Sequence, residues 1–485
     1  MPYNMLDFNN FDSIISFGER VAQQHYDEIK ALADSLNAIE YKPLKSYTTV
    51  PLDSVEISQV HFTGLERMRP NYLENLFGEF RNSKVAVSDL EDVVRYAYGS
   101  GFFNAVFYEF QYSNGITNLL VKVKESERGT LAAGLHYDTD YLGSILVNLS
   151  LKNVLGRRSK LFLDLVLGRY PMLRGRYIID NDVKPGIGLD FNMFSFGFDA
   201  YTGNTKENSF NFDNLGTSLF IPITIRNKYA FRAGFEYQYF RFRQDIAIDT
   251  SITGYDSYSG FGNLYFQFGV DTRDKPYFST KGAFAKLKGL YTLPLSKDWN
   301  QELFDNTFTI YLRYDQYIPL SRKFSLNAKI FAGGSIENTG LITLSSLSEK
   351  LQNATGDERN LISVPIQNQF FVGGLNQYNY MDTFVPFVGM RFIQSQGVYI
   401  GILGLDLQYN FLKDLYVTAM FNAGQNSIVL DSFLNWDLFW DEDYRMLGYG
   451  MKLSYNSFIG PVEGSVMWSS QVSGAIFFLN VGFWL

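Results

Sequence analysis

Residues 231–239 read Phe-Arg-Ala-Gly-Phe-Glu-Tyr-Gln-Tyr. The odd positions are Phe231, Ala233, Phe235, Tyr237 and Tyr239; the even ones are Arg232, Gly234, Glu236 and Gln238. A period of two with one apolar and one polar face describes a β-strand whose two sides meet different surroundings. The pattern recurs. Phe308, Ile310, Leu312 and Tyr314 alternate with Thr309, Tyr311, Arg313 and Asp315. Phe324, Leu326, Ala328 and Ile330 alternate with Ser325, Asn327 and Lys329.

From residue 130 onward such segments follow one another without an intervening helix. Sixteen are expected, at 131–139, 144–153, 159–168, 173–181, 186–199, 207–225, 229–243, 258–271, 281–293, 302–317, 323–335, 398–411, 414–424, 445–457, 460–470 and 474–485. A soluble sandwich would bury the apolar face between two sheets. So many strands, most longer than the usual five or six residues, favour one closed sheet with its apolar face in lipid. Short connections at 154–158, 182–185, 226–228, 318–322 and 412–413 lie on one side, and long ones at 244–257, 336–397 and 425–444 on the other. Short periplasmic turns facing long extracellular loops are the asymmetry of an outer-membrane barrel. The expectation is therefore a mainly β chain, a 16-stranded antiparallel transmembrane β-barrel over 128–485 with both chain ends periplasmic.

Composition agrees. The chain has 485 residues with 44 Phe and 33 Tyr, yet its mean hydropathy is only −0.10, because alternation hides the membrane face. A net charge of −8 argues against nucleic acid as a partner. The chain has no Cys, which excludes disulfides and thiolate metal sites. His25, His61 and His136 are far apart, so neither a metal nor a cofactor is expected. The opening MPYNMLDFNN has no basic and apolar leader pattern and is not read as a signal peptide.

The first 127 residues have a different texture. Residues 11–37 read as a helix with Ile14, Phe17, Val21, Ile29, Leu32 and Leu36 on one face and Glu19, Gln23, Asp27, Lys30 and Asp34 on the other. With the Pro43 and Pro51 linker it makes a unit over 1–52 that is expected to dock onto a partner. A small α+β module follows over 53–127. Its order reads β-α-α-β-β: a strand at 55–62, a helix at 70–80, a capping box Ser88-Asp-Leu-Glu91 opening a second helix to Tyr98, then strands at 105–111 and 119–124 around Ser113-Asn-Gly115.

Several of these stretches resemble the superfamily of outer-membrane assembly and translocation proteins that couple POTRA domains to a barrel, BamA and TamA among them. The module with Tyr98-Gly-Ser-Gly-Phe-Phe103 resembles a POTRA domain. Gly269-Val-Asp-Thr-Arg-Asp274 with Pro276 and Lys281-Gly282 is similar to the family's mid-barrel turn, and Gly448-Tyr-Gly450 with Ile459-Gly-Pro461 to its penultimate hairpin. The end resembles the terminal strand used as an insertion signal, here Phe477, Asn480, Gly482, Phe483, Trp484 and Leu485, with Leu485 where an aromatic is usual. Phe8-Asn-Asn-Phe11 and Ile14-Ile-Ser-Phe-Gly-Glu19 resemble the tail of a patatin-like phospholipase domain, which in one branch precedes a single POTRA domain and a 16-stranded barrel.

That resemblance implies roles. Loop 336–397 should enter the lumen, where the family's Val/Ile-Arg-Gly-Phe/Tyr tip pairs its Arg with an Asp of the wall. In the stretch FFVGGLNQYNYMDTF the tip reads Val372, Gly373, Gly374 and Leu375, and the facing wall strand reads Phe421, Asn422, Ala423 and Gly424. Both charges are replaced together, which is coherent because an orphaned buried charge is costly. Gly373 is expected opposite Asn422, with Gly373→Arg tolerated only when Asn422→Asp accompanies it. A weak barrel seam is expected between the first strand, 131–139, and the last, 474–485, with Leu131, Leu135, Gly474 and Phe478 on it.

No lipase chemistry is expected in this chain. It has neither G-x-S-x-G nor an Asp-Gly pair, and the nearest string is Gly216-Thr-Ser-Leu-Phe220. The loop acids Asp357, Glu358, Asp441, Glu442 and Asp443 read as a solvated surface. The function expected first is that of the barrel half of a patatin-like protein, which anchors or translocates an N-terminal domain or partner. A BamA-like insertase is the alternative, disfavoured by a single POTRA-like module in place of a long array. A structural subunit of a larger complex is a third. Expected partners are outer-membrane lipid, proteins held by the POTRA-like module and helix 11–37, and a second copy or larger assembly.

Overall fold

Two helices, α1 (Phe11–Gln24) and α2 (Tyr26–Ile39), occupy the place of the single expected one. The break falls at His25, although its backbone still bonds to Val21 and Ile29. The computed structural model describes residues 11–39, 53–154, 156, 158–179, 185–202, 205–225, 228–247, 256–297, 305–338, 340, 364–375, 380–435, 437 and 445–483. Trp484, Leu485, Pro43, Pro51, Phe8 and the acids at 357, 358 and 441–443 lie outside the described residues.

The module is richer than β-α-α-β-β. Its first strand is two, β1 (Ser54–Ile57) and β2 (Gln59–Thr63), and β3 (Ser83–Ala86) stands between helices α3 (Asn71–Phe77) and α4 (Val87–Gly99). β4 (Phe103–Ser113) and β5 (Ile116–Glu125) follow. β5 pairs parallel with β2 and antiparallel with β4, while β1 pairs with β3. Asn114 and Gly115 both have positive φ, the backbone of a tight hairpin. The expected capping box does not form: the N-cap of α4 is Ala86, two residues before Ser88, and it makes no side-chain bond. Ile57, Leu73, Phe77, Leu90, Leu119 and Val121 are fully buried in the module core.

All sixteen expected barrel strands are present. They are β6 (Gly129–Asp138), β7 (Leu142–Lys152), β8 (Ser159–Gly168), β9 (Met172–Ile179), β10 (Ile187–Thr202), β11 (Thr205–Ile225), β12 (Tyr229–Ala247), β13 (Asp256–Asp271), β14 (Gly282–Lys297), β15 (Thr307–Pro319) and β16 (Phe324–Glu337). Three short strands then lie within the long loop: β17 (Phe370–Val372), β18 (Phe384–Val385) and β19 (Ser395–Gly397). β20 (Tyr399–Leu412), β21 (Leu415–Ser427), β22 (Met446–Ser457), β23 (Gly460–Ser469) and β24 (Val472–Gly482) complete the barrel. On β12 the alternation holds: Phe231, Phe235 and Tyr239 are exposed, while Phe240 is buried in the lumen.

Closure is made by few residues. β24 meets β6 at Asn480–Asp138, Val481–Tyr137 and Gly482–His136, extended by a bond from the Thr139 N–H to the Leu479 carbonyl of 3.1 Å. By contrast, β6 pairs with β7 from Gly129 to Asp138. The register slides the C-terminal end of β24 against the far end of β6. Leu131 and Gly474 therefore lie outside the closing ladder, Phe478 turns into the lumen, and only Leu135 touches it, through its carbonyl beside Gly482. The barrel closes between the two expected strands, but the contact falls at 136–138 and 480–482 and not at those four residues.

The module and the barrel meet at the β7–β8 turn. Lys152 donates to the Gly101 carbonyl at 2.6 Å, and Lys160 lies over the Phe102 ring at 4.7 Å. At the end of β5, the Glu125 carboxylate accepts from the backbone N–H groups of Glu66, Arg67 and Met68 and from Arg67 Nε, all at 2.8–2.9 Å. Burial opposes its charge, but these donors outweigh burial and hold the carboxyl below its usual range. A depressed folded value stabilises the module above the ordinary carboxylate range, and that contribution is lost as pH falls. Glu125→Gln is expected to cost about 1–3 kcal/mol and to remove this acid sensitivity, read as faster hydrogen exchange at the amides of residues 66–68. Unchanged exchange would refute this role.

Candidate functional site: a loop seated in the lumen

Phe370, Phe371 and Val372 show no alternation, and all three are buried. A strand apolar on every side must be covered on every side. β17 pairs in parallel with β18 and antiparallel with β19, which makes a three-stranded sheet inside the barrel. One side of this sheet packs Phe370 and Val372 against Tyr311, Phe331, Ile400, Ile402 and Met446 of the wall. The other packs Phe371 and Phe384 against Phe194, Phe196, Phe212 and Phe240. Tyr380 lies in the same aromatic group and donates its hydroxyl to the Tyr170 carbonyl at 2.7 Å.

The expected tip is thus the buried start of a plug. The Gly373 N–H donates to the Val385 carbonyl at 3.0 Å and the Gly374 N–H to that of Met390 at 3.1 Å. Leu375 is half-buried beside Val388, Met420, Met467 and Phe478. Gly373 has φ +136°, and a Cβ there would stand 1.9 Å from the Arg391 carbonyl oxygen. No side chain fits that position. The expected tolerance of Gly373→Arg combined with Asn422→Asp is therefore overturned by backbone packing. Asn422 does hold the loop, but its Oδ1 accepts from the Val388 N–H at 3.1 Å and does not meet Gly373. Phe421 is exposed on the outer face, and Gly424 packs against Gly401 and Ile402 of the adjacent strand. Of the wall residues expected to face the loop, Asn422 alone makes a hydrogen bond to it among the described residues.

The terminal residues divide in the same way. Phe477 and Phe483 are exposed, while Asn480 is fully buried and donates to Glu463 Oε2 at 3.2 Å. Phe483 lies 6.0 Å from the Tyr277 ring, and Phe278 stacks on Tyr416 at 4.4 Å. The turn resembling the family's mid-barrel motif therefore reaches across the mouth opposite the loop.

The ionic anchor of the loop was not foreseen. Asp382 accepts from Lys286 Nζ at 2.5 Å and from Lys288 Nζ at 3.1 Å, both on β14. A signal existed: Asp382 is the sole acid between residues 364 and 397, and Lys286 and Lys288 share one face of a strand. Gly448, part of the penultimate-hairpin motif, has a packing role here. A Cβ on it would stand 1.9 Å from the Val388 carbonyl, so the bare wall lets the loop backbone approach. Ser469 on β23 donates to the Gly389 carbonyl at 2.6 Å.

Asp140, in the β6–β7 turn, lies beside Gly374. Burial, reinforced by neighbouring Asp138, pushes its carboxyl up to about 7.

A closed barrel with a folded loop inside and a small α+β module before it defines a class, the plugged transmembrane β-barrel of the outer-membrane type. The sequence pattern of the OMP85 superfamily matches residues 117–485, and the chain belongs to that superfamily. The structure is similar to BamA from Haemophilus ducreyi lacking POTRA domains 1–3, with a TM-score of 0.60 at 16% identity over 88% of this chain and 84% of that one. CdiB from Acinetobacter baumannii aligns over 97% of this chain and 99% of its own, at 11% identity and a TM-score of 0.46. No curated protein matches the sequence.

Two expectations follow for the seat of the loop. Gly373→Ala should loosen it by more than about 2 kcal/mol, and Asn422→Ala by about 1–3 kcal/mol through the orphaned Val388 N–H. Adding Asn422→Asp to Gly373→Arg should not rescue the latter. Heat-modifiability on gels reads all of these, and rescue by the double change would restore the discarded pairing. A raised folded value means that Asp140 supports the fold at low pH and that this support is lost as pH rises through about 7. Asp140→Asn should flatten the pH dependence of the same transition between about 4 and about 7, the ordinary carboxylate value and the raised one.

Proposed function

We propose that this chain is a barrel that rests plugged by its own loop and that anchors, or helps to translocate, an N-terminal domain or partner protein at the outer membrane. The α+β module acts as a POTRA-type domain, and it and both chain ends are periplasmic. This is the role expected of the barrel half of a patatin-like phospholipase protein, and no catalysis is assigned to the chain itself. The observation that carries the reading is the sheet of β17, β18 and β19 seated in the lumen. The exposed stripe of Ile29, Leu32 and Leu36 on α2 supports a docked partner.

A BamA-like insertase is the second reading. It is favoured by the short closing ladder at 136–138 and 480–482, because a sheet edge with few ladder bonds can accept another strand.

The unmodified barrel is expected to show rare, brief openings in planar bilayers, and a large steady conductance would overturn the plugged state. A protease site placed at residue 10 should be protected in intact cells and cut after the outer membrane is permeabilised. Cleavage in intact cells would overturn the periplasmic placement.

A further inference from the structure

The charges of the lumen are distributed unevenly. On β15 to β23 each cation meets a carboxylate of the wall: Arg313 with Asp315, Lys329 with Asp406, and Lys452 with Glu463. On the inward face of β9 to β14 the wall carries Arg174, Arg176, Arg232, Lys286 and Lys288, while Lys206 and Arg243 pair with Asp199 and Asp213 elsewhere on these strands. The inward-facing carboxylates around these five cations are Asp164 on β8, Asp190 on β10 and Glu236 on β12, three acids for five cations. Asp190 bridges two of the cations, at 2.7 and 3.0 Å from Arg176 and 4.0 Å from Arg232. Arg232, Gln267 and Lys288 then stand in one register row. The fourth acid is Asp382, supplied by the loop to Lys286 and Lys288. Its charge also acts on Arg174 and Arg232.

We propose that this basic crescent is a binding surface for an acidic, extended polypeptide segment, and that Asp382 occupies it as an internal stand-in while the loop is seated. The inference rests on the plugged-barrel reading. From β9 to β14 are five strand spacings of about 4.8 Å, an arc of roughly 24 Å that matches about seven residues of extended chain. Cations in a narrow, partly dehydrated wall attract a passing carboxylate more strongly than the same groups in bulk water. A client segment bearing several acids replaces the one acid of the loop, so entry of the client and departure of the loop are coupled by charge. Lys286 and Lys288 carry the exchange, because among the described residues the carboxylate in ion-pair contact with both belongs to the loop, the wall's Glu236 acting on Lys288 only through its charge.

The test uses the full chain purified in detergent and a fluorescent hexaglutamate. Asp382→Asn is expected to bind the probe about tenfold more tightly than the unmodified chain, since the competitor is gone. Adding Lys286→Gln and Lys288→Gln should abolish this gain. Equal binding by the unmodified chain and Asp382→Asn, or a gain that survives loss of both lysines, overturns the proposal. Competition by inorganic phosphate as effective as by unlabelled hexaglutamate shows a general anion site and overturns the polypeptide reading. In planar bilayers the openings of Asp382→Asn should be anion-selective and blocked by hexaglutamate but not by hexalysine. An open unmodified barrel whose probe binding still follows the two lysines sinks the plugged state and leaves the crescent standing. Lysine-independent binding in a closed barrel does the reverse. A variant that fails to show heat-modifiability is replaced by Asp382→Ser, for which the same gain is required.

Discussion

Everything in this molecule depends on closing a hydrogen-bonded sheet on itself. Lipid offers no partner to a backbone N–H or C=O, so a chain that crosses with strands must pair every strand on both edges. Fifteen of the sixteen joins are made by successive barrel strands, linked by short turns or by longer loops. The last join, β24 to β6, brings the two ends of the barrel sequence together and has the least regular structure to hold it. The buried Asp138 shows how that place is reinforced: its carboxylate accepts from the N–H groups of Asp140 and Tyr141 and meets His136 Nε2 at 2.8 Å.

Closure creates a second problem, because a barrel of this size has an interior to fill. Here the fill is unlike on the two sides. Toward the loop it is aromatic, with Phe194, Phe196, Phe212, Phe240 and Phe261 turned inward against Phe371, Phe384 and Ile393. Toward the opposite mouth it is ionic, with cations and carboxylates paired along the wall. The large count of Phe therefore serves two solvents: one set meets lipid and another forms a dry contact between wall and loop. An interior packed in this way is rigid, yet its attachment to the loop rests on a few polar contacts that can be exchanged one for another.

Alternation over ten or more residues was legible throughout. Strand number, direction and the outward placement of Phe231 and Phe235 were all readable because a pleated strand forces neighbours to opposite faces. The long loop was also recognisable, since its length exceeds any ordinary connection. What was misread shares one cause. The capping box at Ser88, the pairing of Gly373 with Asn422 and the seam at Leu131 and Gly474 each required a register, or an approach of two segments, that local pattern does not encode. Gly373 is the clearest case. As a letter it resembled a lost arginine; in the fold it is a backbone position that the Arg391 carbonyl closes to every side chain.

The sequence by itself determined that this chain crosses a membrane as a closed antiparallel sheet, because a period of two and a face of aromatic residues admit few other solutions. Only the tertiary structure decided which residues close the barrel, which loop segment lies in its lumen, and that Asp382 is the acid held by Lys286 and Lys288. Those facts depend on where strands far apart in sequence stop sliding past one another. That stopping point is set by the summed packing of the whole wall against the loop, a quantity that no single stretch of residues contains.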